Sequence, residues 1–348
     1  MIQTLILVPI LDFFPEKTWA IDKEKAPAKA EASSNSTSSS LSPEEEALLS
    51  QGKFQEIVDS LAPKLSDLEA SKLKLLGRAY SGLKNSAAAI KTLSLVLGKN
   101  PKDAEASTLI GLELMSQGKD REAMISFREA LKNDPKFEPG YFAIEKIYIK
   151  KKNKYELRML YSDMIELLGE QPNYVSRLCE IYTSSGLFED AKKTCRRGIA
   201  LSKDDPKSYL SLAMTLRDTG EKEEAIKLFR QTADDFKKSD EAQLVFAQFL
   251  DGEKNFIESN KYYKNATEAN PNSLRGWVGL GLSSLELQKY QITLEALTTA
   301  CKLDRRAIKE VRRAMGILRT MKEEKWIEKF SLLAEKCGLP TYDSKSTK

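Results

Sequence analysis

Histidine is absent from the sequence of 348 residues. Without it the chain cannot use Ser-His-Asp or Cys-His nucleophile pairs, acid–base catalysis by imidazole, or zinc sites with histidine ligands. The carboxylates are scattered over the surfaces of predicted helices, and the pattern predicts no apolar pocket around them that would raise a pKa. We therefore expect no catalytic residue, and a protein that is not an enzyme.

Cysteine is scarce, with four residues in the chain. No two of Cys179, Cys195, Cys301 and Cys337 have C-x2-C spacing, so neither a zinc knuckle nor a dithiol redox motif is predicted. We expect no metal and no cofactor. Cys179 and Cys195 fall on facing helices of one predicted hairpin, where a disulfide is one reading. We expect instead two buried thiols, because free cysteine is among the most buried residue types.

Neither positive nor negative charge is in large excess. The 55 lysines and arginines and 51 aspartates and glutamates leave a net charge of +4. This balance is too close to imply a polyanionic partner by itself. A basic cluster near the C-terminus is nevertheless present, and we expect it to be a solvated face of the terminal helix pair. Its members are Lys302, Arg305, Arg306, Lys309, Arg312, Arg313 and Arg319.

Residues 1–25 fit a secretory signal or a membrane-proximal segment. The apolar run Leu5 to Leu11 is interrupted by Pro9 and is too short to span a bilayer. Thr18-Trp19-Ala20 offers small residues at the positions that a signal peptidase reads, although no basic residue precedes the run. We expect an exported, periplasmic or membrane-associated protein, with a cytoplasmic location as the alternative. Residues 26–42, rich in alanine and serine, predict a disordered linker, and residues 339–348 a flexible tail.

Between the N-terminal segments and the C-terminal tail, the same residue pattern occurs twice at a spacing of 34 residues. With Ala70 and Ala104 as position 1 of their copies, positions 4, 7, 8 and 11 form one stripe at helical spacing, and positions 20, 24 and 27 form a second. Two amphipathic helices per copy are therefore predicted. The first copy is Leu73, Leu76, Gly77, Tyr80, Ala89, Leu93, Val96 and Pro101, and the second is Ser107, Ile110, Gly111, Leu114, Ala123, Phe127, Ala130 and Pro135.

Small residues at positions 8 and 20 let the two helices approach closely, so each copy is predicted to be an antiparallel hairpin. One hairpin cannot bury both of its faces, and stacking is required. In the third and fourth copies the proline comes later, at Pro172 and Pro206, which predicts extra residues there.

These residues resemble the tetratricopeptide repeat, whose 34-residue signature reads W-x2-L-G-x2-Y, then A-x3-F, then P. The matching residues are Trp277, Leu280 and Gly281 for the opening, Ala123 and Phe127 for the middle, and Pro101, Pro135 and Pro271 for the close. The resemblance implies an all-α fold, a right-handed α-solenoid of stacked antiparallel helix hairpins. We expect the array to occupy residues 43–338, with about eight helix pairs including degenerate first and last pairs.

In this family, positions 2, 5, 9 and 12 of the first helix line a concave face that holds peptides. The resemblance therefore implies a scaffold that binds a protein or peptide segment, in envelope or complex assembly. Much of this surface is apolar, which marks either a groove or packing against the next hairpin. The predicted ligand-binding residues are Lys74, Arg78, Leu109, Leu112, Met115, Phe142, Lys146, Ile149, Leu210, Met214, Arg217, Leu244, Gln248, Val278, Leu282 and Leu285.

Two other binding modes fit the sequence less well. Some family members grip a C-terminal carboxylate with lysine, asparagine and arginine, but here Leu109 and Leu112 follow Lys74 and Arg78, so no such clamp is expected. A helical-repeat nucleic-acid-binding protein that uses the basic C-terminal helices is the alternative function. It is disfavoured because Trp326 is the one aromatic there that could stack on a base.

Overall fold

The computed structural model describes residues 42–338. These residues form eighteen α-helices and two 3-10 segments, Ala62–Asp67 and Arg305–Ala307, with no strand in this part of the chain. The helices are α1 Pro43–Ser50, α2 Phe54–Leu61, α3 Ala70–Gly82, α4 Ser86–Lys99, α5 Ala104–Ser116, α6 Asp120–Asn133, α7 Glu138–Lys150, α8 Lys154–Leu168, α9 Pro172–Ser184, α10 Phe188–Leu201, α11 Pro206–Asp218, α12 Lys222–Asp235, α13 Asp240–Gly252, α14 Phe256–Ala269, α15 Leu274–Glu286, α16 Tyr290–Leu303, α17 Ile308–Thr320 and α18 Glu324–Gly338.

The helices pack as nine consecutive pairs, and each pair packs against the next. This confirms the predicted all-α solenoid of stacked hairpins, with nine pairs in the described residues where about eight were expected. The predicted signal segment, the linker up to residue 41 and the tail from residue 339 lie outside the described residues. Within residues 42–338, each helix is too short or too polar to cross a bilayer.

The turn inside each pair repeats with a fixed register. From the second pair onward, a residue with positive φ closes the turn at intervals of 34 (84 to 118, 118 to 152), and a backbone bond spans it, as from Lys119 N to Leu114 O at 2.9 Å. The residues are Lys84, Gly118, Lys152, Gly186, Gly220, Lys254, Gln288 and Lys322. The prediction of extra residues in the third and fourth copies is therefore wrong. Pro172 and Pro206 are instead the first residues of α9 and α11, where proline is tolerated.

The core is a row of buried clusters that runs along the array rather than one central cluster. In its middle, the Phe229 ring stacks on Phe246 with centroids 6.2 Å apart, and Phe246 meets the edge of Tyr262 at 4.6 Å. These three residues come from α12, α13 and α14 and are at most 2% exposed. Aromatic contacts of this kind join one hairpin to the next, which is how a solenoid is stabilised.

Two disulfides connect all four cysteines, which corrects the expectation of free thiols. Cys179 on α9 is bonded to Cys195 on α10, and their Cα atoms are 5.0 Å apart. They occupy positions 8 and 24, the positions at which the paired helices come closest, so the geometry suits a disulfide. The second disulfide joins Cys301 on α16 to Cys337 on α18, with a Cα–Cα distance of 5.5 Å. It ties the last helix pair to the preceding pair.

Candidate functional site on the inner face

The odd-numbered helices form the inner face of the array. Consecutive odd-numbered helices from α3 to α17 contact each other, in addition to packing against their even-numbered partners. At the α7–α9 junction the contact is made by side chains such as Phe142 and Tyr174, whose ring centroids are 6.4 Å apart. Because consecutive odd-numbered helices approach each other closely, their side of the array is the inside of the curve. We use "inner face" for the surface of α3 to α17 that the even-numbered helices leave uncovered.

Three of the predicted ligand-binding leucines belong to the core. Leu210, Leu244 and Leu285 are 3%, 6% and 1% exposed. They pack in the buried clusters between neighbouring hairpins. For these three, the alternative of inter-hairpin packing is the correct one, and their assignment to a ligand groove is wrong.

The other predicted apolar residues line the inner face as half-buried side chains. Leu112, Met115 and Phe142 pack in part on the cluster around α5 to α9, and Met214 and Val278 pack on the next clusters. Leu109 and Leu282 are also half-buried, and Ile149 is 37% exposed. Lys146 and Arg217 are exposed, and the Arg217 guanidinium pairs with Asp218 at 2.7 Å. Each of these side chains presents part of its surface to solvent.

A small pocket of about 90 Å³ opens between α3 and α5. It is lined by three predicted residues, Arg78, Leu109 and Leu112, together with the buried carboxylate of Glu113. That carboxylate accepts a hydrogen bond from the Ser81 hydroxyl. A pocket of this size admits one small side chain, with apolar walls and a charged rim.

Lys74 and Arg78 are engaged by the following repeat and are not a free basic pair. The Lys74 ammonium lies 2.6 Å from Glu105 and 3.3 Å from Asp103, and the Arg78 guanidinium also bonds Glu105. Burial alone would lower the pKa of Lys74, but the hydrogen bond and charge of Glu105 outweigh it and the pKa is raised. Both cations therefore join α3 to α5.

A polar network that the sequence reasoning missed lies in the middle of the inner face. Arg177 on α9 donates to Glu145 on α7 at 3.2 Å and to Glu180 at 2.7 Å. Burial raises the pKa of Glu180 against the opposing charge of Arg177, and the pKa of Tyr161 is raised by burial and then by Glu145. Glu145 stands at position 8, where the other repeats from α3 to α15 place glycine, alanine or cysteine. A carboxylate there was a sequence signal for this network.

A second polar network joins α13, α14 and α15. The Asp251 carboxylate accepts hydrogen bonds from Ser259 at 2.6 Å and from Tyr263 at 2.9 Å. The predicted residue Gln248 accepts a bond of 3.0 Å from Arg275. Gln248 thus contributes its side chain to the inner face as part of a contact between repeats.

The basic cluster does not form one patch. Lys302 lies on α16, and Arg306 makes hydrogen bonds to Asp304 in the turn that follows. Arg305 is half-buried in the same turn, and the remaining cations lie on α17. They follow residues of α15 by one repeat length of 34 residues, as Lys309 follows Arg275. Extending the stripe of positions 2, 5 and 12 into the last pair would have found Lys309, Arg312 and Arg319.

The described residues offer no group of three or more carboxylates and cysteines placed to hold a metal ion. The inner face is therefore a surface of half-buried apolar side chains between charged networks. Such a surface can bind and orient another molecule.

Stacked helix pairs with one open, curved face define an α-solenoid, a class that is generally non-catalytic and presents extended concave binding surfaces. Two family models described as tetratricopeptide repeat match the sequence, at residues 74–136 and 206–232. The sequence contains tetratricopeptide repeats in these stretches, and repeats of this kind indicate a protein–protein interaction scaffold.

Solved structures with a similar fold include three with low sequence identity. Yeast Tom70 is 15% identical with a TM-score of 0.54, over 85% of this chain and 74% of that chain. A tetratricopeptide repeat protein from Parabacteroides merdae is 13% identical with a TM-score of 0.52, over 81% and 99%. The C-terminal part of a repeat-containing protein from Cytophaga hutchinsonii is 17% identical with a TM-score of 0.51, over 68% and 98%. No curated protein matches the sequence significantly.

Proposed function

We propose that the inner face binds an extended or amphipathic segment of a partner protein, without catalysis. The observation that carries this proposal is the set of half-buried apolar side chains on successive odd-numbered helices, such as Leu112, Met214 and Leu282. Partly exposed apolar side chains between charged networks are typical of peptide-binding surfaces, where apolar anchors supply affinity and polar contacts fix register.

The test compares two triple variants of the full chain. Leu112→Glu, Met214→Glu and Leu282→Glu place charges on the inner face. The control places them on the even-numbered helices, at Ile125, Ile257 and Leu332, which are 69%, 77% and 52% exposed. Partner capture by crosslinking in the native cells should fall for the inner-face variant and persist for the control, with helicity of both checked by circular dichroism. Unchanged capture by the inner-face variant would contradict the proposal.

We propose further that the protein is exported, and that residues 1–25 direct it to the envelope or hold it near a membrane. The support is that both disulfides use every cysteine of the chain. Disulfides form and persist in oxidising compartments and are rare in the cytosol. Mass spectrometry of the protein from cell fractions should find it outside the cytoplasm with all four thiols oxidised. Recovery from the cytoplasm with four alkylatable thiols would contradict this.

A further inference from the structure

The exposed side of α17 carries four cations on one helical face. Lys309, Arg312, Arg313 and Arg319 are all exposed, and at 1.5 Å per residue they span about 15 Å of the helix. Gly316 lies among them, and a β-carbon built there would meet nothing within 4 Å. The surface between the cations is therefore open down to the backbone.

These cations lack the neutralising partners that earlier repeats provide. Arg78 on α3 is paired by Glu105 of the next odd-numbered helix, but α17 is the last odd-numbered helix of the described residues. Arg313 lies 3.7 Å from the half-buried Glu310 of the same helix, and a pair at this i, i+3 spacing neutralises little of the charge. Within residues 42–338, Lys309, Arg312 and Arg319 have no carboxylate within 4.0 Å.

On moving away from α17, the same face carries apolar side chains together with the exposed Arg275 on α15, and then a carboxylate on α13. Val278 and Leu282 on α15 are half-buried, and Asp251 lies on α13 beyond them. The Asp251 carboxylate is held there by hydrogen bonds from Ser259 and Tyr263. A continuous polyanion along the inner face would be repelled by Asp251. A polypeptide whose acidic part is short would avoid that repulsion.

Neither nearby tryptophan is placed to stack on a base beside these cations. The Trp277 indole donates a hydrogen bond of 2.8 Å to the Pro271 carbonyl and packs on the core. The Trp326 ring lies 5.7 Å from Tyr290 and under Lys329. Single-stranded nucleic acids are bound by basic grooves with stacking aromatics, so the surroundings favour a polypeptide.

We propose that the inner face of α17 binds an acidic stretch of the partner segment, and that an apolar side chain of the partner next to this stretch packs on Val278 and Leu282. A span of about 15 Å corresponds to about four or five extended residues. The inference rests on the proposed function and specifies the chemistry of its ligand at one end of the inner face.

The experiment measures fluorescence anisotropy of a labelled peptide, two leucines followed by four glutamates, with the full disulfide-bonded chain. Arg312→Glu with Arg319→Glu should weaken binding at least tenfold and bring it close to that of a peptide with glutamines in place of glutamates. The control, Lys325→Glu with Lys336→Glu, makes the same change of net charge on exposed positions of α18 and should leave affinity within about twofold. Binding should also weaken as salt is raised.

Two results would overturn the inference. One is equal loss in the α18 control, which would show a response to net charge alone. The other is tighter binding of an eight-nucleotide oligothymidylate than of the acidic peptide, which would identify a nucleic-acid surface. If the Leu112, Met214 and Leu282 variant loses its partner while the α17 variant binds the acidic peptide normally, this inference fails and the proposed function stands. Unchanged partner capture by the former variant contradicts the proposed function itself.

Discussion

The backbone of Gly111 on α5 lies directly against the ring of Phe127 on α6. A β-carbon built on Gly111 would stand 2.4 Å from Cε1 of Phe127, a distance that real β-carbons do not show. Both residues are buried. The hairpin therefore closes only because position 8 carries no side chain where position 24 carries a large one.

Replacing Gly111 with alanine should destabilise the protein by about 1–3 kcal/mol, because the added methyl group overpacks a closed core. Denaturant unfolding monitored by circular dichroism would measure it. Gly98→Ala on α4 is the matched control, since its β-carbon would meet nothing within 4 Å. Alanine there should be neutral or stabilise by up to about 1 kcal/mol through helix propensity. Equal stability of the two variants would refute the close contact.

This contact was predictable from the sequence, because a glycine and a phenylalanine at fixed repeat positions report the distance between two helices. The fold followed from the same positions. The burial of Leu210, Leu244 and Leu285 could not be predicted from these positions. An apolar residue at position 5 or 12 packs between hairpins or faces the groove according to the local spacing of the helices. That spacing depends on residues in the neighbouring repeats.

The charged contacts were less predictable for a related reason. Glu105 pairs with Lys74, 31 residues earlier, across the junction of two repeats. Position numbers place both residues on the inner face but do not say that one neutralises the other. The disulfide between Cys301 and Cys337 likewise depends on how the last helix pair packs, which the loose match of that pair to the repeat pattern did not define.

Glu105→Gln should lower stability modestly, because it removes the charged partner that Lys74 and Arg78 share. A double-mutant cycle with Lys74→Met should give a coupling of about 0.5–1 kcal/mol, and the coupling should shrink at high salt. The exposed pair of Lys132 and Glu129, with side chains 76% and 51% exposed, is the control and should couple by about 0–0.5 kcal/mol. Equal couplings for the two pairs would show that Glu105 does not join the repeats.

Removing the Cys301–Cys337 disulfide by a double serine substitution should cost about 4 kcal/mol, and removing Cys179–Cys195 about 3 kcal/mol. The difference follows from the sequence separations of 36 and 16 residues, since the longer loop gains more entropy in the unfolded chain. Amide hydrogen exchange should show that removal of the Cys301–Cys337 disulfide destabilises mainly α18. If a reducing agent leaves the stability of the wild-type protein unchanged, the disulfides do not contribute.

Asp251→Asn should change how stability depends on pH. Burial raises the pKa of Asp251 above its ordinary value of 3.8, although the hydrogen bonds from Ser259 and Tyr263 oppose the rise. The folded protein therefore holds this proton to a higher pH than the unfolded chain does, and stability falls as the pH rises through the interval between the two pKa values. The variant lacks this ionisation, so the wild type should lose stability relative to it as the pH rises above the ordinary aspartate pKa of 3.8, as measured by urea unfolding.

Asp304→Asn provides a control of opposite sign. The hydrogen bonds from Arg306 lower the pKa of Asp304, so its contribution is present above the ordinary value and is lost as the pH falls through the lowered one. The wild type should therefore gain stability relative to Asp304→Asn as the pH rises from below the lowered pKa to the ordinary value of 3.8. Because the two windows lie on opposite sides of the ordinary aspartate pKa, one set of pH titrations separates them. A difference for Asp251→Asn that stays flat as the pH rises above 3.8 would mean that solvent reaches this carboxylate as freely as in the unfolded chain.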